Sequence, residues 1–179
     1  MSQRTLFGGA ISIVLPTNLL DASDIRQVPD TQEVFVSRDS DISFVVEILE
    51  RVPIQNPDEA ARFHFDSLAH DNDAQSHIVH EVQVPSAQNA ALSEGTPLPI
   101  ILDGSQAVTK FNRTTADDVR ILLALFRIEN KNVDLVLSVN IPTVAEDGTA
   151  VPPSGIESTR EVFMVAASSL RVLDFDLFV

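Results

Sequence analysis

The most constraining feature of this sequence is the run at residues 120–126, Arg-Ile-Leu-Leu-Ala-Leu-Phe, which is apolar at nearly every position. A strand with one face in water alternates apolar and polar residues. An unbroken apolar run instead indicates a central strand that is buried on both faces. We therefore expect a β-sheet with helices packed against both of its faces.

Other strands are predicted from alternating side chains, β-branched residues and short polar separators. They cover residues 34–36, 76–84, 98–111, 119–128 and 133–141, and a β-hairpin over residues 6–15 that turns at Gly8-Gly9 precedes them. The last three strands follow one another through short separators, at residues 112–118 and 129–132, so we expect them to be antiparallel neighbours.

Residues 40–52 show a helical period. At 100° per residue the apolar side chains of this segment share one arc: Ile42, Val45, Val46, Leu49 and Val52. Glu47 and Glu50 fall on the opposite side. We predict an amphipathic helix here, with the two carboxylates forming a stripe and Pro53 ending the helix.

Two more helices are predicted. One runs from Pro57 to about residue 69, with Asn56 as its N-cap and Pro57 at its first position. The other covers residues 156–172. Residues 85–97 and 143–155 are predicted to be surface connections, residues 21–24 a short helical turn, and the apolar tail at 174–179 is expected to dock on the body of the protein.

The charge of the chain limits its partners. The 26 acidic and 12 basic side chains give a formal net charge of −14, and half of that excess lies between residues 21 and 66. Such a field repels phosphate groups, so we expect neither nucleic acid nor an anionic membrane as a direct partner. A basic protein or a cationic ligand is the better match.

Several kinds of chemistry find no support in the residues. The chain has no cysteine, and neither a Gly-x-Ser-x-Gly elbow nor a glycine-rich phosphate loop is present. His64 and His70 are six residues apart on a predicted helix, and His77 and His80 are three apart on a predicted strand. Neither spacing suits chelation of one ion, so we expect no metal site, no cofactor and no catalytic residue.

We further expect a single domain over residues 1–179. The chain shows no internal repeat or low-complexity linker. It also has no apolar run near the roughly 20 residues of a membrane span and no signal-peptide core at its start, so we expect a soluble, intracellular protein.

Beyond these patterns, successive motifs resemble those of a known family, the Ran guanine-nucleotide release factors or Mog-type nuclear import factors. The matching segments, in chain order, are Leu-Phe-Gly-Gly-Ala at 6–10, Asp-Ala-Ser-Asp-Ile-Arg at 21–26, Val-Pro-Asp-Thr-Gln-Glu-Val-Phe at 28–35, Val-Val-Glu-Ile-Leu-Glu at 45–50, Ala-Arg-Phe-His-Phe at 61–65 and Gly-Ser-Gln at 104–106 with Lys-Phe at 110–111. The resemblance runs from residue 6 to about 141.

The resemblance implies an α+β fold: a twisted, mainly antiparallel sheet of about six strands flanked by helices on both faces, similar to the extrinsic photosystem II subunit. It implies a non-catalytic protein that binds the GTPase Ran, promotes loss of its guanine nucleotide and supports nuclear protein import. The family binds through an acidic cluster, and the positions that match it here are Asp21, Asp30, Glu33, Asp41, Glu47 and Glu50.

On this basis we expect a monomer in the nucleus and cytoplasm that binds Ran and can meet other Ran-binding proteins. Two alternatives remain open at the level of sequence. One is a general adaptor for basic partner proteins. The other is a small-ligand-binding or enzyme domain on the same scaffold, with a cleft near His64 and Asp66.

Overall fold

The computed structural model describes residues 1–86, 95–109, 115–145 and 148–178. Within them the chain forms ten strands and two α-helices. The strands are β1 (Ser2–Leu6), β2 (Ile11–Leu15), β3 (Leu19–Asp21), β4 (Gln32–Ser37), β5 (Ser43–Glu50), β6 (Ala74–Gln83), β7 (Ile100–Val108), β8 (Asp117–Ile128), β9 (Val133–Val144) and β10 (Arg171–Val172). The helices are α1 (Pro57–Asp71) and α2 (Pro153–Ser169).

The strands form two antiparallel sheets, one of seven strands in the order β3-β4-β5-β9-β8-β7-β6 and one of three in the order β1-β2-β10. The α+β class and the antiparallel arrangement of β7, β8 and β9 are confirmed, although the large sheet has one strand more than expected. None of the helices in the described ranges is long and apolar enough to cross a bilayer.

Strand β8 is central to the large sheet and is covered on both faces, as its apolar run predicts. Leu123 and Leu125 belong to the core on one face, against which α1 packs. Leu122 and Phe126 belong to the core on the other face, which α2 and the small sheet cover. Helices therefore lie on both sides of the sheet.

The opening β-hairpin and the docked tail are also confirmed. β1 pairs with β2 through a tight turn in which Gly8 has a φ of 67°, a conformation that glycine adopts without strain. The tail following β10 returns to this sheet and buries Phe178. The small sheet is thus assembled from the two ends of the chain.

Helix α1 begins where its cap predicts. The Asn56 side chain accepts hydrogen bonds from the backbone N–H groups of Asp58 and Glu59, and Pro57 occupies the first turn. The predicted strands at 34–36, 76–84, 119–128 and 133–141 are present with modest changes of boundary. Parts of five predictions lie outside the described residues: residues 87–94 of the first connection, 110–111 of the predicted strand, 112–114 of the separator, 146–147 of the predicted loop and 179 of the tail.

The predicted helix over residues 40–52 is wrong, because this segment forms strand β5. Phe44 and Val46 are buried on the face shared with α2, whereas Val45 and Leu49 are half-buried on the face shared with α1. Since both faces of the strand carry apolar residues, their spacing also satisfies a helical arc. The many β-branched residues favoured the strand.

The predicted loop at 143–155 is shorter than expected. β9 continues to Val144, and α2 begins at Pro153, so that the Pro153-Ser154-Gly155 stretch forms the first helical turn. Proline suits this position because its missing N–H would have no helical partner there. The predicted end of the helix is also wrong: α2 stops at Ser169, and Arg171 and Val172 form β10.

The contact between α1 and β7 makes a testable prediction. A Cβ on Gly104 would lie 2.5 Å from Cζ of Phe65 and 2.8 Å from the carbonyl oxygen of Ile78. We expect Gly104→Ala to destabilise the fold by about 1–3 kcal/mol, measured by urea unfolding, because this interface has no room for a methyl group. Phe65→Leu should relieve part of that clash, so the double variant should lose less stability than the two single changes added together. Simple additivity would contradict the assigned contact.

Candidate functional site

A buried ion cluster fixes the connection between β5 and α1. The Asp134 carboxylate, on β9, is fully buried. Its Oδ2 accepts hydrogen bonds from Nε2 of His64 at 2.8 Å and from the Val52 N–H at 3.1 Å, and its Oδ1 accepts one from Nε of Arg127 at 3.1 Å. Because an ionised carboxylate only accepts, Nε2 of His64 carries the proton.

Arg127 extends this cluster into the backbone that leads to α1. Its Nη2 donates to the Val52 carbonyl at 2.8 Å, and its Nη1 donates to the Ile54 carbonyl at 2.5 Å. One carboxylate therefore joins three elements that are distant in sequence: the β8–β9 hairpin, the segment that follows β5, and helix α1. The cluster therefore helps to position the start of α1 on the sheet.

The environment of Asp134 changes its acidity. Burial by itself would raise the pKa of this carboxyl, but the hydrogen bonds from His64 and the Val52 N–H, together with the charge of Arg127, lower the pKa below its ordinary value. The group therefore stays ionised inside the protein.

A groove of about 250 Å³ lies between α1 and the part of the sheet that α1 leaves uncovered. α1 packs on β6, β7 and β8, so the corresponding face of β5 and β9 is open on one side of the helix. One wall of the groove carries side chains of α1, and the floor and other wall carry residues of the strands and of the segment after β5. The lining is Phe63, His64, Ser67, Leu68 and Asp71 from the helix, with Glu47, Leu49, Glu50, Val52, Leu123, Val136 and Ser138.

Glu47 and Glu50 line this groove, but they do not form the helical stripe that the sequence predicted. They are three residues apart on β5, and since successive side chains of a strand point to opposite faces, their side chains have opposite parity. Glu47 lies on the α1 face directly opposite Gln32, whose Nε2 donates to its Oε1 at 2.6 Å. Glu50 is exposed at the end of the strand.

Two other predicted acids have partners within the protein. Glu33 lies on the opposite face of the sheet, where its Oε1 accepts the Phe7 N–H at 2.6 Å, so it anchors the turn of the opening hairpin. Asp21 caps the short 3-10 turn at Ala22–Asp24, and its Oδ1 accepts from the Ser23 N–H at 2.8 Å and the Ser23 hydroxyl at 2.6 Å. The short helical turn predicted at 21–24 is confirmed.

The last two predicted acids lie at opposite ends of the strands. Asp30 is exposed and precedes Thr31, whose carbonyl accepts the Ile48 N–H, so Asp30 lies at the same end of the sheet as Glu47 and Glu50. Asp41 lies in the turn between β4 and β5. It is six residues before Glu47, or about 20 Å at the strand rise of 3.3 Å per residue. The structure therefore does not bring all six acids together.

The structure does not bring His64 and Asp66 into one cleft, because the groove that His64 lines does not include Asp66. His64 is buried against Asp134, whereas Asp66 is exposed and lies 3.0 Å from Nε2 of His77. His80 contacts the Ser105 hydroxyl at 2.7 Å instead. Among the described residues no group of three or more His, Asp and Glu side chains is placed to hold a metal ion.

A second buried carboxylate joins α2 to the sheet. Asp103 of β7 accepts two hydrogen bonds from Arg120 of β8, through Nε and, at 2.9 Å, Nη2, and one from Nη1 of Arg160 on α2 at 2.7 Å. The hydrogen bond to Asp103 raises the pKa of the Arg120 guanidinium. Our reading of the sequence missed both buried clusters. A charged residue inside an apolar strand, as in Leu-Asp-Gly or Phe-Arg-Ile, requires a buried partner and could have revealed them.

The acidity of Asp134 makes a pH prediction. Its folded-state pKa is lower than in the unfolded chain, so its contribution to stability is complete above the ordinary Asp value of about 3.9 and is lost as the pH falls through the folded-state pKa. Asp134→Ala should cost about 3–5 kcal/mol at pH 7 because it leaves Arg127 without a buried partner. Urea unfolding at pH 7, 5, 4 and 3 should show a weaker acid dependence in this variant than in the native protein.

Asp176→Asn provides the control for that experiment. Asp176 is exposed and lies 3.7 Å from Lys131, and such surface pairs contribute little to stability. Removing this charge should leave the free energy of unfolding, and the dependence of that free energy on pH, close to the native values. An Asp134→Ala protein with the same acid dependence as Asp176→Asn would show that the buried carboxylate does not set the acid response.

Comparison with known proteins assigns the chain to a family. The family model described as "Ran-interacting Mog1 protein" matches residues 4–142. The chain is 33% identical to the Ran guanine nucleotide release factor of Danio rerio over 98% of both proteins. It is 28% identical to the nuclear import protein mog1 of Schizosaccharomyces pombe over 97% of this chain and 98% of that protein. A crystal structure of the Saccharomyces cerevisiae Ran-binding protein Mog1p superposes with a TM-score of 0.78 at 26% identity, over 99% of this chain and 98% of that one. The fold matches, and the sequence similarity extends through the strands and the helix that line the groove. The chain therefore belongs to the Ran-interacting Mog1 family.

Proposed function

We propose that this protein binds the small GTPase Ran, promotes release of its bound guanine nucleotide and thereby supports nuclear protein import. The observation that carries the proposal is similarity along the whole chain to proteins named for these roles. Neither the general adaptor nor the small-ligand domain gains support from these relatives. A protein with this role works in the nucleus and the cytoplasm.

The contact surface that we propose centres on Glu47 and Glu50, with Asp30 beside them at the same end of the sheet. Glu50 and Asp30 are exposed, and one carboxylate oxygen of Glu47 remains for a partner after its bond to Gln32. Among the described residues no basic side chain lies within ion-pair distance of Glu47 or Glu50. Basic groups of Ran can therefore pair with them without first displacing a basic side chain of this protein.

Glu33, Asp21 and Asp41 have smaller roles in this proposal. The first two carboxylates hold the opening hairpin and the 3-10 turn, so a change in either would act on the fold before it acted on binding. Asp41 is at the far end of β5 and contributes to the long-range field that attracts a basic partner rather than to the same contact.

Release of the nucleotide needs no catalytic side chain. If the protein binds nucleotide-free Ran more tightly than loaded Ran, thermodynamic linkage requires that its binding weaken the affinity of Ran for nucleotide by the same factor. The net charge of −14 accelerates the encounter with a basic surface, and this effect decreases as salt concentration increases. We propose that the protein acts as a monomer, without inserting into a membrane.

The test is a titration of Ran loaded with fluorescent GDP or GTP. The native protein should bind Ran and accelerate loss of the fluorescent nucleotide. The double change Glu47→Lys and Glu50→Lys should weaken binding by about 2–5 kcal/mol and abolish the acceleration, because two attractive contacts become repulsive.

A matched control carries the same change of charge elsewhere. Glu157 and Glu161 are exposed on α2, which lies on the opposite face of the sheet from the groove. Changing both to lysine should slow association slightly through the loss of net charge but leave the complex otherwise intact. Equal losses in the two double variants would show that total charge, rather than the surface at Glu47 and Glu50, governs binding. Native-like binding by the Glu47 and Glu50 variant, with its folding intact, would remove that surface from the proposal.

A further inference from the structure

We propose that the groove between α1 and β5 receives one lysine or arginine side chain of Ran, which crosses the ring of Phe63 and ends at the Glu47 carboxylate. The inference rests on the function proposed above and adds a second wall to the contact surface. It makes α1 a determinant of specificity, together with the acids of β5.

The first argument is the exposure of Phe63. This ring is 46% exposed on α1, although Phe65, two residues later, is fully buried against the sheet. A half-exposed phenylalanine at the mouth of a groove presents apolar surface and a π face to a partner. A guanidinium or ammonium group is attracted to such a face.

The second argument is the charge of the groove. Of the described residues that line it, three are acidic, Glu47, Glu50 and Asp71, and none is lysine or arginine. Its one imidazole, that of His64, already donates a hydrogen bond to Asp134. The groove therefore offers negative charge on its rim, which no lysine or arginine among its described lining residues compensates.

The third argument is the character of the floor. Leu49 is half-buried and provides apolar surface in the groove, and the buried side chains of Leu123 and Val136 lie beneath it. A long basic side chain buries its methylene stem on such a surface while its charged end reaches a carboxylate. This combination of apolar floor, aromatic wall and acidic rim matches a basic side chain better than an acidic or purely apolar one.

The fourth argument is that the groove is already formed in the free protein. The Asp134 cluster holds the backbone at Val52 and Ile54 and so positions the start of α1 against the sheet. A wall held in this way costs little ordering entropy when the partner binds. The small binding free energy from one inserted side chain is then not cancelled by the entropy cost of ordering the groove.

The test uses the same Ran titration with variants of the helix wall. Phe63→Leu keeps an apolar side chain but removes the ring, and we expect it to weaken Ran binding about 3- to 20-fold. Phe63→Tyr keeps the ring and should bind within about twofold of native, a difference too small to indicate a lost contact. Asp71→Asn should weaken binding at low ionic strength and lose this effect at high salt.

Met164→Ala is the control for exposed apolar surface. Met164 is 40% exposed on α2, away from the groove, and its truncation should leave Ran affinity unchanged. Urea midpoints of all variants should show that folding is retained. Native affinity of Phe63→Leu, or an equal loss in Phe63→Leu and Phe63→Tyr, would overturn the inference.

The two proposals fail in different ways. If the Glu47 and Glu50 double variant loses Ran binding while Phe63→Leu and Asp71→Asn bind as the native protein does, the function stands and the groove inference is wrong. If the native protein does not bind Ran at all, the proposed function fails and the groove inference falls with it.

Discussion

The hydrogen bonds that converge on Asp134 hold together the parts of the molecule that shape its groove. A carboxylate this deeply buried is stable only when it is paired, and His64, Arg127 and the Val52 N–H supply three partners from different parts of the chain. Arg127 in turn holds the backbone carbonyls before α1. Without this cluster the sheet and helix could still pack through their apolar faces, but the position and tilt of α1 on the sheet would be less well defined, because apolar contacts are not directional.

The groove itself follows from the dimensions of the two layers. Seven strands spaced by about 4.8 Å make a sheet much wider than one helix, which is about 10–12 Å across. On one face, α2 and the three-stranded sheet share the task of covering it. On the other face α1 stands over β6, β7 and β8, and the strands on its far side keep an open, half-apolar surface. The fold thus leaves an unfilled position beside α1, and the acids of β5 lie on its rim.

In the proposed function, this arrangement acts on a nucleotide-binding partner through binding alone. The binding of one protein to another changes nucleotide affinity through the difference in free energy between two states of the partner. Charge at the end of the sheet provides rate and orientation, because electrostatic attraction acts over a distance of about one Debye length. In the groove proposal, the preformed groove adds a short-range contact that disfavours partners without a basic side chain in the matching position.

Much of the fold could be predicted from local patterns. The apolar run at 120–126 required a central strand, the short separator at 129–132 required an antiparallel neighbour, and Asn56-Pro57 fixed the start of α1. The ordered motifs from residue 6 to about 141 also indicated the family. Each of these depends on residues close together in sequence, where periodicity, capping and turn chemistry act.

Tertiary structure decided the rest. The apolar pattern of residues 40–52 fits both a helix with one apolar face and a strand with two apolar faces. Pairing with β4 and β9 selected the strand, and the side chains of Glu47 and Glu50 therefore point to opposite faces of the sheet. Asp134 meets His64 across seventy positions of sequence, and Asp103 meets Arg160 across fifty-seven. No local period encodes such pairs. The sequence by itself therefore determined which segments are apolar, where α1 begins and which family the motifs resemble. Packing decided which acids anchor the fold and which line the groove, because the contacts of each acid depend on the strand or helix that lies opposite it.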